Sequence, residues 1–155
     1  MDVYDSNVWV WGLTEKAPAA AAKISEIRNG DRYIAISAYI HGEVTEAFNR
    51  ATTASDNEIR EMKKEFNVLV SKRHNVEFPG HDAIGQMDIY EARRQQPVQL
   101  LASAWSIQAK DVPVVMFAEQ LPDESTVFTT DGPLADFKPA DSGVNGVTVE
   151  HIPTP

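Results

Sequence analysis

The most constraining feature of this sequence is the alternation of short apolar segments with segments of helical periodicity. Tyr33 to Ser37 (YIAIS) is apolar and bounded by polar residues, which is typical of a buried parallel strand. We predict a second central strand at Ser125 to Thr129, a short first strand at residues 2 to 5, and a last, edge strand at Val147 to Ile152. Strands alternating with helices predict an α/β fold, here a three-layer α/β/α sandwich around a mainly parallel sheet.

Start and stop signals place helices between these strands. Pro18 lies in the first turn of a helix predicted from Ala17 to Arg28, and Asn29-Gly30 ends it. Ser55-x-x-Glu58 is a capping-box pattern that opens a helix running to about Arg73. The other predicted segments are an apolar turn or short helix around Trp9 and Trp11, helices at Ala38 to about Thr53, roughly Asp82 to Arg94, Val98 to Gln108 and Asp111 to Ala118, and a loop at His74 to Gly80.

Length and composition indicate one domain and a cytoplasmic location. The 155 residues, 43% of them hydrophobic, suit a single domain over residues 1–155 with one core. The chain has no cysteine, which excludes disulfides and thiolate chemistry. No apolar stretch approaches the roughly 20 residues of a membrane span, and the first residues do not resemble a leader. We therefore expect no membrane association.

The formal net charge of -9 argues against ordinary nucleic-acid binding through a basic stripe. Two explanations remain open: an acidic surface suited to a high-salt cytoplasm, such as that of a halophilic archaeon, or a substrate held through metal ions rather than lysines. Several basic residues could still guide a phosphate backbone, although a solvated helix face is the more common role. They are Arg60, Lys63, Lys64, Lys72, Arg73, Arg93 and Arg94.

Two acids are predicted where strands give way to loops, the place at which open parallel sheets bind ligands, and two more on helices that can reach the same rim. Asp5 follows the first strand, and Asp131 follows the strand that ends at Thr129. Hydroxyls of Thr129 and Thr130 could orient Asp131 by hydrogen bonding. Glu43 lies on the helix after YIAIS, and Asp111 begins a helix whose exposed backbone amides favour an anion.

Each acid also has a simple structural interpretation. Asp111 could be a helix cap, and Asp131, before Gly-Pro, could be a turn former. Glu43 could pair with nearby Arg50 on a solvated helix face. Taken singly these interpretations are favoured, but the four acids together favour a functional site.

Other kinds of site lack their motifs. His41 and His81 have no spaced partners such as HExxH, so exposed or capping histidines are favoured over a zinc site. No G-x-S-x-G elbow surrounds a serine, and no phosphate-binding G-x-x-x-x-G-K-[ST] loop occurs. Hydrolase-triad and NTPase chemistry are therefore not expected. Trp9, Trp11 and Trp105 could stack on unpaired bases, but a role in the hydrophobic core is favoured for them.

Four short motifs, in this order along the chain, resemble the PIN-domain nucleases. They are DSN at residues 5–7, Glu43 in the helix after an apolar strand, KDVPV at 110–114, and TTD at 129–131 followed by Phe137. The resemblance implies that Asp5, Glu43, Asp111 and Asp131 bind Mg²⁺ or Mn²⁺ and cut RNA, with Asn7 and Thr129 supporting the site. Crowded carboxylates stay ionised only when cations neutralise them, and Mg²⁺ prefers oxygen ligands.

The resemblance also sets expectations about function and partners. It implies a metal-dependent endoribonuclease, in size like the toxins of toxin-antitoxin pairs, with a small antitoxin protein and a second copy of the chain, in a homodimer, as partners. The alternative is a catalytically inactive PIN-fold module that binds protein or RNA.

Overall fold

A parallel sheet forms the centre of the structure, a computed structural model that describes residues 1–84 and 87–155. Within these residues the sheet has five strands in the order β3-β2-β1-β4-β5, and every neighbouring pair is parallel. The strands are β1 (Asp2–Tyr4), β2 (Ile34–Ala35), β3 (Val76–Glu77), β4 (Ser125–Thr129) and β5 (Val147–His151).

Helices cover both faces of this sheet, which gives the predicted three-layer α/β/α sandwich. They are α1 (Ser6–Leu13), α2 (Pro18–Arg28), α3 (Ala38–Asn49), α4 (Asp56–Lys72), α5 (His81–Ile84), α6 (Ile89–Arg94), α7 (Gln96–Trp105), α8 (Val112–Glu119) and α9 (Gly132–Ala135). In the described part of the chain, none of them is both long and apolar enough to cross a bilayer.

The local signals in the sequence predicted several of these elements closely. Pro18 is the first residue of α2, and Ser55 and Glu58 form the reciprocal capping box at the start of α4. The β4 strand has the predicted bounds, and β5 is an edge strand of the sheet. The region around Trp9 and Trp11 is a regular helix, α1.

Other predictions were wrong in their bounds. The strand predicted at Tyr33 to Ser37 is only Ile34–Ala35, and the helix after it ends at Asn49. A strand, β3, lies inside the predicted loop at His74 to Gly80; its two residues are too few to show a pattern. Residue 5 lies outside β1 and caps α1 instead.

The last helical predictions also needed correction. The helix predicted from Asp82 to Arg94 is interrupted, because Met87 and Asp88 are not helical and the Asp88 side chain caps α6; residues 85 and 86 of that prediction lie outside the described residues. Helix α7 ends at Trp105 rather than Gln108, since Ser106 adopts a left-handed conformation. A 3₁₀ turn at Ala109–Asp111 precedes α8.

The strand order places β1 beside both β2 and β4, at the centre of the sheet. From β1 the chain continues outward through β2 and β3, then returns to β4 on the other side of β1. This reversal is a topological switch point, and the loops after the carboxyl ends of β1 and β4 flank it. The fold therefore predicts a crevice at the residues that follow Tyr4 and Thr129.

The two helices that follow β1 pack closely at one glycine. A Cβ added at Gly12 would lie 2.4 Å from Ile24 Cγ1 and 2.8 Å from the backbone oxygen of Ala20. Such a contact leaves no room for even a methyl group, since protein cores are close-packed. Gly12 thus sets the distance between α1, which is capped by Asp5, and α2.

Replacing Gly12 by Ala is expected to lower the free energy of unfolding by roughly 1–3 kcal/mol, because overpacking outweighs the higher helix propensity of alanine. Urea denaturation measures this change. Gly132→Ala is the matched control, since a Cβ at that helical position meets nothing within 4 Å. Equal stability of the Gly12 variant and the control would contradict the close packing of α1 on α2.

Candidate active site

Asp5 lies at the switch point, buried between the ends of β1 and β4. Its backbone nitrogen donates to Phe128 O at 2.9 Å, which extends the pairing of the two strands by one bond. Its carboxylate accepts from Thr129 Oγ1 at 2.9 Å and from the Ser6 backbone nitrogen at 2.8 Å. Burial raises the pKa of Asp5 above its ordinary value, although the hydrogen bonds from Thr129 and Ser6 oppose that rise.

Glu43 projects from the second turn of α3 into the same region. Its Oε2 accepts from Arg93 Nη2 at 2.9 Å, whereas its Oε1 is buried and has no hydrogen-bond partner within the described residues. Burial, with the charge of Asp5, raises the pKa of Glu43 to about 7 despite the opposing effect of Arg93. The expected pairing of Glu43 with Arg50 is not present, because Arg50 pairs with Glu46.

Asp111 is buried at the junction of the 3₁₀ turn and α8, and it makes no side-chain capping bond to that helix. Its Oδ2 is also buried without a partner among the described residues. Burial, followed by the charge of Asp5, raises the pKa of Asp111 to about 7, and the charge of Asp131 adds to the rise. Asp111 therefore occupies the N-cap position of α8, but its carboxylate does not perform the capping that this interpretation requires.

Asp131 is the acid with a clear structural role. Its carboxylate caps α9 by accepting from the Leu134 backbone nitrogen at 3.3 Å, as expected for the turn-forming interpretation. It is only partly buried and still interacts with Asp111. Thr129 Oγ1 accepts from the Asp131 backbone nitrogen at 3.0 Å, so its hydroxyl bridges Asp5 and Asp131.

Thr130 plays a different part from the one predicted. Its carbonyl faces His151 Nε2 at 3.3 Å, and among the described residues its hydroxyl makes no hydrogen bond to Asp131. The residue that orients the acids is Thr129.

A cavity of about 160 Å³ brings most of these side chains together. Three acids and three cations line it: Asp5, Glu43 and Asp111 with Arg50, Arg93 and Lys110. Asn7, Ser6, Ala47 and Ile89 complete the lining. Asp131 is outside this lining. Because its three acids face three cations, the cavity is polar and close to neutral in formal charge.

Sequence reasoning missed the basic half of this site. Arg93 was treated as one of several surface cations, but it donates from Nη2 to Glu43 and from Nε to Tyr39 Oη, both at 2.9 Å. Tyr39 Oη in turn donates to Lys110 O at 2.7 Å. The one local signal was that Tyr39 and Glu43 are four residues apart and share a helix face.

The remaining candidates lie away from this cavity or outside the description. His41 is buried on α3, where Nε2 is 3.1 Å from Asn67 Oδ1 and the ring packs on Phe66. The side chain of His81 lies outside the described residues. Trp9 is fully buried in the core, and the ring of Trp105 stacks on that of Phe137, which favours the core role over base stacking.

The donor set suits a hard divalent cation. Glu43 Oε1 and Asp111 Oδ2 are buried carboxylate oxygens with no hydrogen-bond partner in the part of the chain that is described, and carboxylate oxygens are the ligands that Mg²⁺ and Mn²⁺ prefer. Across residues 1–84 and 87–155, no three histidine or acidic side chains are already gathered into a set that could ligate an ion.

No family model, curated protein or solved structure matches the chain. The site is therefore interpreted from its own geometry.

Asp111→Asn is expected to change how stability depends on pH. A carboxyl whose folded pKa is raised from 3.8 to about 7 stabilises the fold in its protonated form, and this contribution is lost as pH rises through that window. In metal-free buffer, Asp111→Asn should therefore gain roughly 1–3 kcal/mol over the parent between about pH 5 and pH 8. Urea denaturation at each pH measures the difference.

Asp123→Asn is the control, because Asp123 is an exposed acid in the turn before β4. Its stability relative to the parent should be the same at both pH values. If the free energy of unfolding of Asp111→Asn equals that of the parent at every pH, the Asp111 carboxyl is not held in a desolvated, negatively charged environment.

Proposed function

We propose that this chain is a Mg²⁺- or Mn²⁺-dependent endoribonuclease. The observation that carries the proposal is the gathering of Asp5, Glu43 and Asp111 at one cavity beside a sheet switch point, where two buried carboxylate oxygens have no hydrogen-bond partner among the described residues. Two of the three acids have pKa values raised to about 7 by burial and mutual repulsion. Buried acids that repel each other lower the stability of the fold, so their presence here favours a functional role over a purely structural one.

Each acid would have a separate role in binding the cation. Asp5 is held by Thr129 and Ser6, so it is the most rigid candidate ligand. Asp111 and Glu43 each have one carboxylate oxygen that accepts no hydrogen bond from the described residues and could bind a cation. Asp131 is close enough to Asp111 for its charge to act on it, and could bind the same cation. When bound, Mg²⁺ or Mn²⁺ would supply an acidified water for attack on phosphorus and charge neutralisation for the leaving oxygen. No side-chain nucleophile is then required.

A role as the toxin of a toxin-antitoxin pair is part of the same proposal. It rests on the resemblance to PIN-domain toxins, and it implies a small antitoxin protein and a homodimer. Light scattering of the purified chain, alone and with the product of any neighbouring short gene, tests both partners.

The central test is cleavage of single-stranded RNA with Mg²⁺ or Mn²⁺. We expect the parent to cut and Asp5→Asn and Asp111→Asn each to reduce the rate by at least about 100-fold, because each removes a ligand charge. Asp123→Asn, which alters an exposed acid outside the cavity lining, should cut like the parent. Equal rates in all four proteins would overturn the site assignment.

The alternative is a PIN-like module that binds protein or RNA without cutting it. The ion pair between Arg93 and Glu43 favours it, because an internal guanidinium already neutralises one proposed ligand. Metal titration separates the two proposals: a module of this kind would bind RNA equally well with and without Mn²⁺ and would leave it intact. The metal-dependent nuclease is preferred because, within residues 1–84 and 87–155, Glu43 Oε1 and Asp111 Oδ2 have no hydrogen-bond partner in spite of Arg93.

A further inference from the structure

We propose that Arg93 is an exchangeable internal cation, which holds Glu43 while the site is metal-free and turns to a phosphate of the RNA when a divalent cation takes Glu43. This inference rests on the proposed nuclease function and adds a substrate-binding residue to it. It begins from the contacts of a single side chain, Arg93, at the end of α6.

The ion pair has an incomplete geometry for a purely structural bridge. Guanidinium and carboxylate groups often form two parallel hydrogen bonds, which satisfy both oxygens. Arg93 contacts only Oε2 of Glu43 and uses its Nε for Tyr39 Oη, so Oε1 of the glutamate has no partner among the described residues. A buried oxygen without a partner is costly. Glu43 thus retains the capacity to bind a second cation.

The charges around the cavity make the exchange necessary. Its three acids face three cations, Arg50, Arg93 and Lys110, so the lining is already formally neutral. A divalent cation would therefore leave an excess of positive charge in a partly desolvated space. Arg50 is engaged by Glu46, which leaves Arg93 as the lining cation in direct contact with one of the three acids.

Arg93 is also placed to remain in the site after release. Its guanidinium lies 5.8 Å from the ring centre of Tyr39 and 5.3 Å from that of Tyr90, and the Tyr39 hydroxyl is tied to Lys110 O. Aromatic faces hold a guanidinium through cation–π attraction without fixing its hydrogen bonds. A displaced Arg93 would therefore stay at the mouth of the cavity. A phosphate, which suits the planar guanidinium fork, is the anion that an RNA substrate brings there.

The test compares Arg93→Gln with Arg94→Gln. Arg94 is the matched control because it follows Arg93 on the same helix but pairs with Glu91 at the exposed surface. Two equilibria are measured: binding of Mn²⁺ alone, by calorimetry, and binding of random-sequence single-stranded RNA in Ca²⁺, by fluorescence anisotropy.

Exchange predicts opposite effects of Arg93→Gln. Mn²⁺ should bind more tightly, by roughly three- to tenfold, because the competing cation is gone, and RNA should bind more weakly by a similar factor, because a phosphate contact is lost. Arg94→Gln should change neither. A merely structural Arg93 would weaken both equilibria or leave both unchanged, and either result would overturn the inference.

Two further outcomes keep the inference separate from the nuclease proposal. A parent protein that binds no Mn²⁺ would defeat the proposed function and the exchange together. A parent that binds Mn²⁺ and cuts RNA, with an Arg93→Gln variant of equal Mn²⁺ affinity, would defeat the exchange alone. If Arg93→Gln does not fold, Arg93→Met takes its place: it also removes the charge and the polar contacts with Tyr39 and Glu43 but keeps an unbranched side chain, so RNA should again bind more weakly and Mn²⁺ more tightly than in the parent.

Discussion

The parallel pairing of β1 with β4 is the constraint on which the site depends. Asp5 directly follows the three residues of β1, and its backbone nitrogen continues the hydrogen bonding to β4 by donating to Phe128 O. That pairing brings Thr129, more than a hundred residues later in the chain, within hydrogen-bond distance of the Asp5 carboxylate. A slip of one residue in a strand moves every side chain to the other face. The register of this pair therefore fixes the first acid and its partner together.

Beyond Asp5, the properties of the cavity are set by the desolvation of its carboxylates and by the repulsion between them. Burial contributes most to raising the pKa values of Asp5, Glu43 and Asp111. For Glu43 and Asp111, the second-largest contribution is the negative charge of Asp5. The fold compensates with cations rather than by separating the acids: Arg93 contacts Glu43, and the charge of Lys110 acts on Asp5 and Asp111. Such compensation is partial, and a cavity with unpaired oxygens is suited to exchange partners with a ligand.

The parts of the fold that were predictable are those with local signals. The capping box at Ser55, the proline that opens α2 and the apolar run of β4 each act through neighbours in sequence, so their bounds were right or nearly so. The short β3 strand was missed because its two residues become a strand only by bonding to β2: Ile34 N donates to Asn75 O and Ile36 N to Glu77 O. Such bonds depend on long-range pairing.

The sequence by itself determined the alternation of strands and helices and the presence of acids at strand ends, because periodicity and capping are local properties. Tertiary structure decided which of those acids share a cavity and which cations join them. Arg93 meets Glu43 across fifty positions of chain, and Asp131 turns one oxygen toward its own helix instead of the cavity lining. Whether a charged side chain has a partner depends on packing between distant elements, and no spacing in the sequence records that packing.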